Sequence, residues 1–298
     1  MRLLLLGKNG QVGLALQQSL QPLGEVIACG RDSVDIGAID SLAGQLDRLN
    51  PDVIVNAAAY TQVDLAETEV DAAFRVNEAA VKVMADYARD HGALLVHYST
   101  DYVFDGQKDG AYVETDETHP LNVYGRSKRA GEAAIEASGC RHLVFRTSWV
   151  FSADGTNFIK TMLRLAAERS SLRVVADQFG APTAAELIAD VTALAVAGDS
   201  RGALAGGIYH LTSSGKTSWF ELARHVVRRA GELGFVLKAG PDDIEPVTTE
   251  EFPRPATRPR NSCLDTGALR SALGISLPDW TLHVDRILDQ LRKRELQA

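Results

Sequence analysis

A tyrosine and a lysine lie four positions apart in the segment Tyr124–Lys128, Tyr-Gly-Arg-Ser-Lys. In a helix, residues four apart share one face, so the ammonium of Lys128 would lie beside the phenol of Tyr124. A nearby cation favours the phenolate and lowers the pKa of a tyrosine from its reference value of about 10. The spacing therefore predicts that Tyr124 donates a proton near neutral pH.

The pair alone is a weak signal, because a lysine that snorkels from an amphipathic helix would explain it equally well. Its context favours chemistry. Thr100 follows the apolar run Leu94–Tyr98, which is a predicted strand. Open α/β sheets bind their ligands at the carboxyl ends of the strands, so the hydroxyl of Thr100 is expected near the pair. Tyr124, Lys128 and Thr100 are the predicted catalytic residues.

Three glycines, Gly7, Gly10 and Gly13, follow the first apolar run directly. Glycines at such a strand-to-helix turn allow a tight bend and bring backbone N–H groups close to a pyrophosphate. The helix N-terminus adds a dipole that favours the anion. The spacing differs from GxGxxG by one residue, and a purely steric turn is the alternative. The loop predicts a bound dinucleotide.

The end of the second predicted strand indicates which dinucleotide binds. Cys29, Gly30 and Arg31 stand there, without the carboxylate that favours NAD at this place. Arg31 could bind a 2′-phosphate, which favours NADPH, while Asp32 and Asp35 keep NADH open. Alternatively, Arg31 is a solvent-exposed loop residue that binds no ligand.

Short apolar runs alternate with amphipathic stretches through the first half of the chain. The runs are Leu3–Leu6, Val26–Cys29, Val53–Asn56, Leu94–Tyr98 and Leu143–Phe145, and the helical patterns are Val12–Leu20, Ile39–Leu49, Glu67–Arg89 and Tyr124–Ala137. Nearly continuous apolar strands between helices indicate a parallel sheet covered on both faces. Right-handed βαβ connections then give an α/β, doubly wound, Rossmann-like sheet.

The pattern changes after Trp149, and we predict a Rossmann domain over 1–151 and a smaller C-terminal α/β lobe over 152–298. A capping box at Thr183–Glu186 predicts a helix over 183–198 that packs back on the first domain. The stretch Pro241–Arg260 is too rich in proline and charge to be regular throughout.

Composition excludes several classes of protein. The formal net charge of −8 argues against a general binder of nucleic acid or membrane surfaces. The apolar run after Met1 is too short for a signal or a membrane span. The 3 cysteines are widely spaced and fit free thiols in a reducing cytoplasm, and no histidine pair has the spacing of a catalytic metal site.

Together these residues resemble the extended short-chain dehydrogenase/reductases, whose pattern is GxxGxxG, an Asn-Ala-Ala segment, a Ser or Thr, and YxxxK. More narrowly, the chain resembles the reductases of dTDP-L-rhamnose synthesis, which act on the C4 ketone of a dTDP-linked keto-deoxy sugar. The resemblance covers nearly the whole chain, including Val55–Asp64, His97–Phe104, Pro120–Gly125, Phe145–Val150, Asn157–Phe158, Asp177–Thr183 and Arg258–Ser262.

The resemblance implies a hydride transfer from NADPH to the ketone and a role for each site residue. It implies that Tyr124 donates the proton, Lys128 binds the cofactor ribose and Thr100 tunes the tyrosine. The implied cofactor contacts, with the glycine loop, are Gln11, Val12, Asp35, Ile36, Ala59, Tyr60 and Thr61. The implied substrate contacts are Thr100, Asp101, Tyr124, Trp149 and Arg258.

Alternatives stay open for several of these. Trp149 could be plain core packing, and Arg258 could form a salt bridge between lobes instead of binding a diphosphate. Some family members bridge a homodimer through Mg²⁺, but Ala15 replaces one glutamate ligand while Glu186 remains, so we doubt the ion here. Rival functions are a sugar-nucleotide epimerase or dehydratase, and a non-catalytic subunit like that of methionine adenosyltransferase.

Overall fold

The computed structural model describes residues 1–200, 202 and 204–297. Its main feature is a parallel six-stranded sheet in the order β10-β5-β4-β3-β1-β2. The strands of the described chain are β1 (Arg2–Leu6), β2 (Glu25–Cys29), β3 (Val53–Asn56), β4 (Leu94–Thr100), β5 (Arg141–Thr147), β6 (Val150–Phe151), β7 (Leu172–Val175), β8 (Phe179–Gly180), β9 (Thr183–Ala184), β10 (Gly207–His210), β11 (Thr217–Ser218) and β12 (Ile244–Val247). The strand order reverses beside β1, which opens a crevice at the carboxyl ends of β1 and β3.

The helices of the described chain cover both faces of this sheet. They are α1 (Gln11–Ser19), α2 (Ile39–Leu49), α3 (Val70–Phe74), α4 (Ala80–His91), α5 (Val123–Ser138), α6 (Phe158–Glu168), α7 (Ala185–Ser200), α8 (Trp219–Glu232), α9 (Gly267–Leu273) and α10 (Trp280–Gln297). In that part of the chain, no helix combines the length and the apolar character needed to cross a bilayer.

Alternate residues of β1 explain the two-sided core. Leu3 and Leu5 pack into one apolar cluster with residues of α1 and α7, and Leu4 and Leu6 pack into another with residues of α2 and α4. Successive strand residues point to opposite faces, so a strand buried on both faces must be apolar throughout. The predicted doubly wound sheet is confirmed.

Two local predictions are wrong in detail. The predicted helical stretch Glu67–Arg89 is continuously helical only from Val70 to His91, and a π-helical turn at Arg75–Ala79 interrupts its α-helical geometry between α3 and α4. Thr183 does not cap a helix, because its hydroxyl donates to the carbonyl of Ala181 and it lies in β9, beside β6. The helix α7 begins two residues later, at Ala185.

The C-terminal half builds a smaller α/β lobe and also completes the sheet. Two-stranded pairs, β7 with β12 and β8 with β11, belong to the lobe. In contrast, β10 pairs with β5 at the edge of the main sheet, and α7 packs on α1, where the Ser19 hydroxyl donates to Asp190 at 2.6 Å. The domain boundary at residue 151 stays a prediction, since the chain returns to the sheet beyond it.

A buried ion pair joins β5 to α5. Arg146 donates to both carboxylate oxygens of Glu132, at 2.9 and 2.7 Å, and the two side chains are 3% and 0% exposed. Arg146→Met would leave the carboxylate buried without its partner, so the free energy of unfolding should fall by about 3–5 kcal/mol. Urea unfolding measures this.

The matched control is the exposed pair of Arg164 and Glu168, whose side chains are 61% and 53% exposed. Arg164→Met should change the free energy of unfolding by about 0.5 kcal/mol or less. Equal losses in the two variants would contradict a special role for the buried pair.

Candidate active site

A cavity of about 750 Å³ opens at the carboxyl ends of β1 and β4. Most of the predicted site residues line it: Gly7, Gly10, Gln11, Val12, Arg31, Asp35, Ile36, Ala59, Thr61, Thr100, Asp101, Tyr124, Lys128 and Trp149. The structure therefore brings together the glycine loop and the proposed catalytic group, which are far apart in sequence.

The three glycines of the loop serve different purposes. Gly7 has a φ of +84°, and a Cβ on Gly13 would stand 2.0 Å from the carbonyl oxygen of Gly7, so the turn itself requires both. A Cβ on Gly10 would meet nothing closer than 3.5 Å. The fold does not need a glycine at position 10, which fits a ligand that approaches the backbone there.

The first turn of α1 faces the cavity with donors. Gly10 is its N-cap and provides no side-chain cap, while Gln11 and Val12 line the cavity. The first N–H groups of a helix have no partner within it, and the dipole favours an anion. These residues fit the pyrophosphate of a dinucleotide.

The loop after β2 forms the other end of the cavity. Arg31 is exposed there, and Asp35 and the buried Ile36 lie beside it. The carboxylate of Asp35 accepts from the N–H of Gly37 at 2.9 Å, which fixes this loop. A guanidinium at the cavity mouth is well placed for a phosphate.

Thr100 and Tyr124 are held by local caps. Thr100 ends β4, accepts from the N–H of Tyr102 at 3.2 Å and donates to Asp101 at 3.0 Å. Asn122 caps α5 by accepting from the N–H of Gly125 at 2.8 Å, which places Tyr124 in the first turn. Both side chains thereby meet at the cavity wall.

The predicted acidification of the phenol is wrong for the protein without cofactor. Desolvation raises the pKa of Tyr124 to about 12, the Asp101 carboxylate raises it further, and hydrogen bonding with Thr100 opposes them. The amine of Lys128 lies 3.0 Å from Nε2 of His97, and burial lowers its own pKa to about 8. Removal from water is the largest influence on the pKa of Tyr124 and on the pKa of Lys128.

Asp101 is a buried carboxyl on the cavity wall, only 3% exposed. Burial raises its pKa to about 6, although hydrogen bonds with Ser262 and Thr100 lower it. A carboxyl with this pKa accepts hydrogen bonds from hydroxyl groups at neutral pH, as a sugar would offer.

Three predicted residues do not line the cavity, and their roles stay predictions. Gly13 packs against the carbonyl oxygen of Gly7, on the side of the loop away from the cavity lining. The hydroxyl of Tyr60 donates to Glu69 at 2.8 Å. Arg258 pairs with Asp64 at 2.9 Å, which is the salt bridge between the two halves of the chain that the sequence left open.

Trp219 is a wall residue that the sequence analysis missed. Its ring stacks on Trp149 with 3.6 Å between centroids, and both line the cavity. Trp149 has a φ of +49°, and a Cβ on Gly180 would stand 2.8 Å from its ring. No spacing connects these positions, because the stack forms only when the first residue of α8 meets the turn between β5 and β6.

Comparison with known proteins shows the family to which the chain belongs. The sequence model of a family described as the RmlD substrate binding domain matches residues 1–293. The chain belongs to this family. A dTDP-4-dehydrorhamnose reductase of Burkholderia thailandensis is 49% identical over 288 residues, which cover 95% of this chain and 97% of the relative.

Solved structures of the same family agree in fold. The crystal structure of a Clostridium acetobutylicum dTDP-4-dehydrorhamnose reductase has a TM-score of 0.90 and 34% identity, covering 98% of this chain and 100% of that one. The Bacillus anthracis dTDP-4-dehydrorhamnose reductase, in complex with NADP, has a TM-score of 0.87 and 34% identity, with 97% and 99% covered.

The residues around Glu186 offer little to the magnesium ion that the resemblance attributes to some members. Ala15 and Glu186 line a second cavity, where Glu186 accepts from the amide of Gln290 at 3.4 Å. Asp154 and Asp190 line the same cavity, but Arg294 pairs with Asp154 and Ser19 donates to Asp190, so few free oxygens remain for a hard cation. In the described residues, no group of three His, Cys, Asp or Glu side chains could hold a metal ion.

Proposed function

We propose that this chain is an NADPH-dependent reductase that converts the C4 ketone of dTDP-4-dehydro-L-rhamnose to the alcohol of dTDP-L-rhamnose. Most support comes from one observation: Thr100, Tyr124 and Lys128 share a single cavity with the glycine loop. The 49% identity to a dTDP-4-dehydrorhamnose reductase supports the substrate.

When bound, NADPH would supply the hydride. The chain's own part begins with Tyr124, which is a protonated phenol at neutral pH because its pKa is raised to about 12. We propose that this phenol donates to the carbonyl oxygen as negative charge develops there. Thr100 would hold the same oxygen, and Lys128 would stabilise the phenolate that remains.

We propose that the nucleotide sugar enters beside the tryptophan pair. The stacked rings of Trp149 and Trp219 offer an apolar wall, and the Asp101 carboxyl offers an acceptor. An aromatic wall with few polar groups suits a sugar or a base. Cytoplasmic location, a homodimer and the substrate role of the C-terminal lobe stay predictions.

A coupled assay tests the reaction. dTDP-4-keto-6-deoxyglucose is supplied with the 3,5-epimerase, NADPH absorbance is followed at 340 nm, and the product is identified by NMR. We expect stoichiometric oxidation and dTDP-L-rhamnose. An epimerase or dehydratase would give product without net oxidation, and a non-catalytic subunit would give no turnover; either result contradicts the proposal.

Arg31 should decide the preference between the two dinucleotides. Removing its guanidinium removes a partner of the 2′-phosphate, so Arg31→Ala should weaken NADPH binding about tenfold, or about 1.4 kcal/mol. NADH binding should change little. Fluorescence titration measures both, with the exposed Arg48→Ala on α2 as the control. Equal losses for NADPH and NADH in Arg31→Ala would refute the role.

A further inference from the structure

Three buried polar side chains form a chain behind the cavity. Asn56 ends β3, His97 lies on β4 and Lys128 on α5, and each is 1% exposed. Nδ1 of His97 lies 3.1 Å from the amide nitrogen of Asn56, and Nε2 of His97 lies 3.0 Å from Nζ of Lys128. One imidazole therefore connects an amide to the amine at the active site.

The direction of each hydrogen bond follows from Asn56. Its amide oxygen accepts from the N–H of Ala58 at 3.2 Å, so its NH₂ group faces His97. Nδ1 of His97 must then accept a hydrogen bond, so the neutral imidazole carries its own proton on Nε2. This N–H points at Nζ of Lys128, which can accept it only as an uncharged amine with a free lone pair.

The surrounding charges agree with an uncharged Lys128. Glu132, one turn further along α5, is the carboxylate nearest in sequence, but Arg146 binds both its oxygens and Arg129 lies 3.8 Å away. Within the described residues, no carboxylate lies within 4.0 Å of the lysine amine. Asp101 acts on the phenol of Tyr124 instead. Glu132 favours the ammonium, but less than burial opposes it, so a buried ammonium here would lack a counter-ion in contact.

We propose that Asn56 and His97 stabilise the neutral amine of Lys128 in the free protein, and that the bound dinucleotide stabilises the ammonium, so that at mildly alkaline pH Nζ turns into the cavity on binding and takes one proton from water. Asn56 and His97 are then positioning residues. The inference rests on the proposed function, because NADPH is the ligand that drives the change. Burial lowers the pKa of Lys128 to about 8, so the free amine is neutral mainly above that pH, and it lowers the pKa of His97 well below its usual value.

This arrangement keeps the amine of Lys128 at His97, while burial raises the pKa of the Tyr124 phenol. At mildly alkaline pH, the cation that lowers the pKa of Tyr124 would form mainly when the pyrophosphate and ribose fill the cavity that Lys128 lines. Full charge on Lys128 would then coincide with bound cofactor.

Proton uptake during NADPH binding tests the proposal. Calorimetric titrations in two buffers with different ionisation enthalpies give the number of protons bound per site. Between about pH 7 and about pH 9, uptake should rise towards one proton, because the free amine loses its proton as the pH rises and the bound one keeps it. Protonation of the 2′-phosphate, with a pKa of about 6, would instead decrease over this range.

Variants of these residues test whether the proton taken up on NADPH binding goes to Lys128. His97→Gln presents an amide oxygen to an ammonium, and Asn56→Asp accepts from Nδ1–H and turns Nε2 into an acceptor. Both should keep Lys128 charged in the free protein and lose the uptake at about pH 9, as Lys128→Met should. His142→Gln, on β5 and outside the cavity lining, is the matched control and should keep it.

Thermal unfolding shows which variants are folded. If Asn56→Asp does not fold, the uptake measured in His97→Gln is the test. NADPH binding to the wild type without proton uptake at about pH 9 would overturn this inference alone. Unchanged uptake in folded His97→Gln would also overturn it. If the wild type binds no NADPH at all, the proposed function fails with it.

Discussion

Tyr124→Phe should lower kcat by about 10³-fold and leave the affinity for NADPH within about twofold. A positioned general acid contributes about 10²–10⁴-fold, and here the variant removes only the phenolic oxygen. The ring itself would stay, edge-on to Tyr102 at 5.7 Å between centroids, so packing at the wall is preserved. Single-turnover kinetics measure the chemical step, and fluorescence titration measures NADPH binding.

Tyr209→Phe is the matched control, because that hydroxyl donates to the carbonyl of Ala205 and lies outside the cavity lining. It should keep the wild-type kcat. If Tyr124→Phe retains more than about a tenth of the wild-type kcat, Tyr124 is not the general acid.

Gly13→Ala should destabilise the protein by about 3 kcal/mol or more, because the added Cβ overpacks the turn. It would stand 2.0 Å from the carbonyl oxygen of Gly7, a backbone atom that cannot move without opening the loop. NADPH binding should be lost with the loop. Urea unfolding and fluorescence titration measure the two effects.

Gly10→Ala is the paired variant, since its Cβ would meet nothing in the protein closer than 3.5 Å. Its free energy of unfolding should stay within about 0.5 kcal/mol of the wild type. Its NADPH affinity should fall about tenfold or more, because the methyl group occupies the place of the pyrophosphate. Wild-type affinity in Gly10→Ala would show that no ligand approaches the loop there.

The sheet could be predicted because its signals are local. Runs such as Val53–Asn56 are apolar throughout, and only a strand buried on both faces requires that. The loss of regularity at Arg75–Ala79 could not be predicted in the same way. It places Asn77, whose amide bonds the backbone of Tyr60 and the hydroxyl of Ser127, contacts that no periodic pattern records.

The site shows the same division. The glycine loop and the Tyr124–Lys128 spacing have fixed geometric consequences, so their meeting in one cavity followed from the order of the elements. The position of the Lys128 amine did not, because it lies against His97, a neighbour 31 residues away in sequence. Arg258 is an example of a residue whose type suggested a ligand contact that its position does not show. Its guanidinium, which could bind a diphosphate, pairs with Asp64 instead.

The most direct test follows the transferred hydrogen. The enzyme is given NADPH labelled with deuterium on one face or the other of C4 of the nicotinamide, and the sugar product is examined by NMR and mass spectrometry. We expect one of the two labelled forms to transfer a single deuterium to C4 of the sugar, giving labelled dTDP-L-rhamnose. A product with no deuterium at C4 from either form would contradict it.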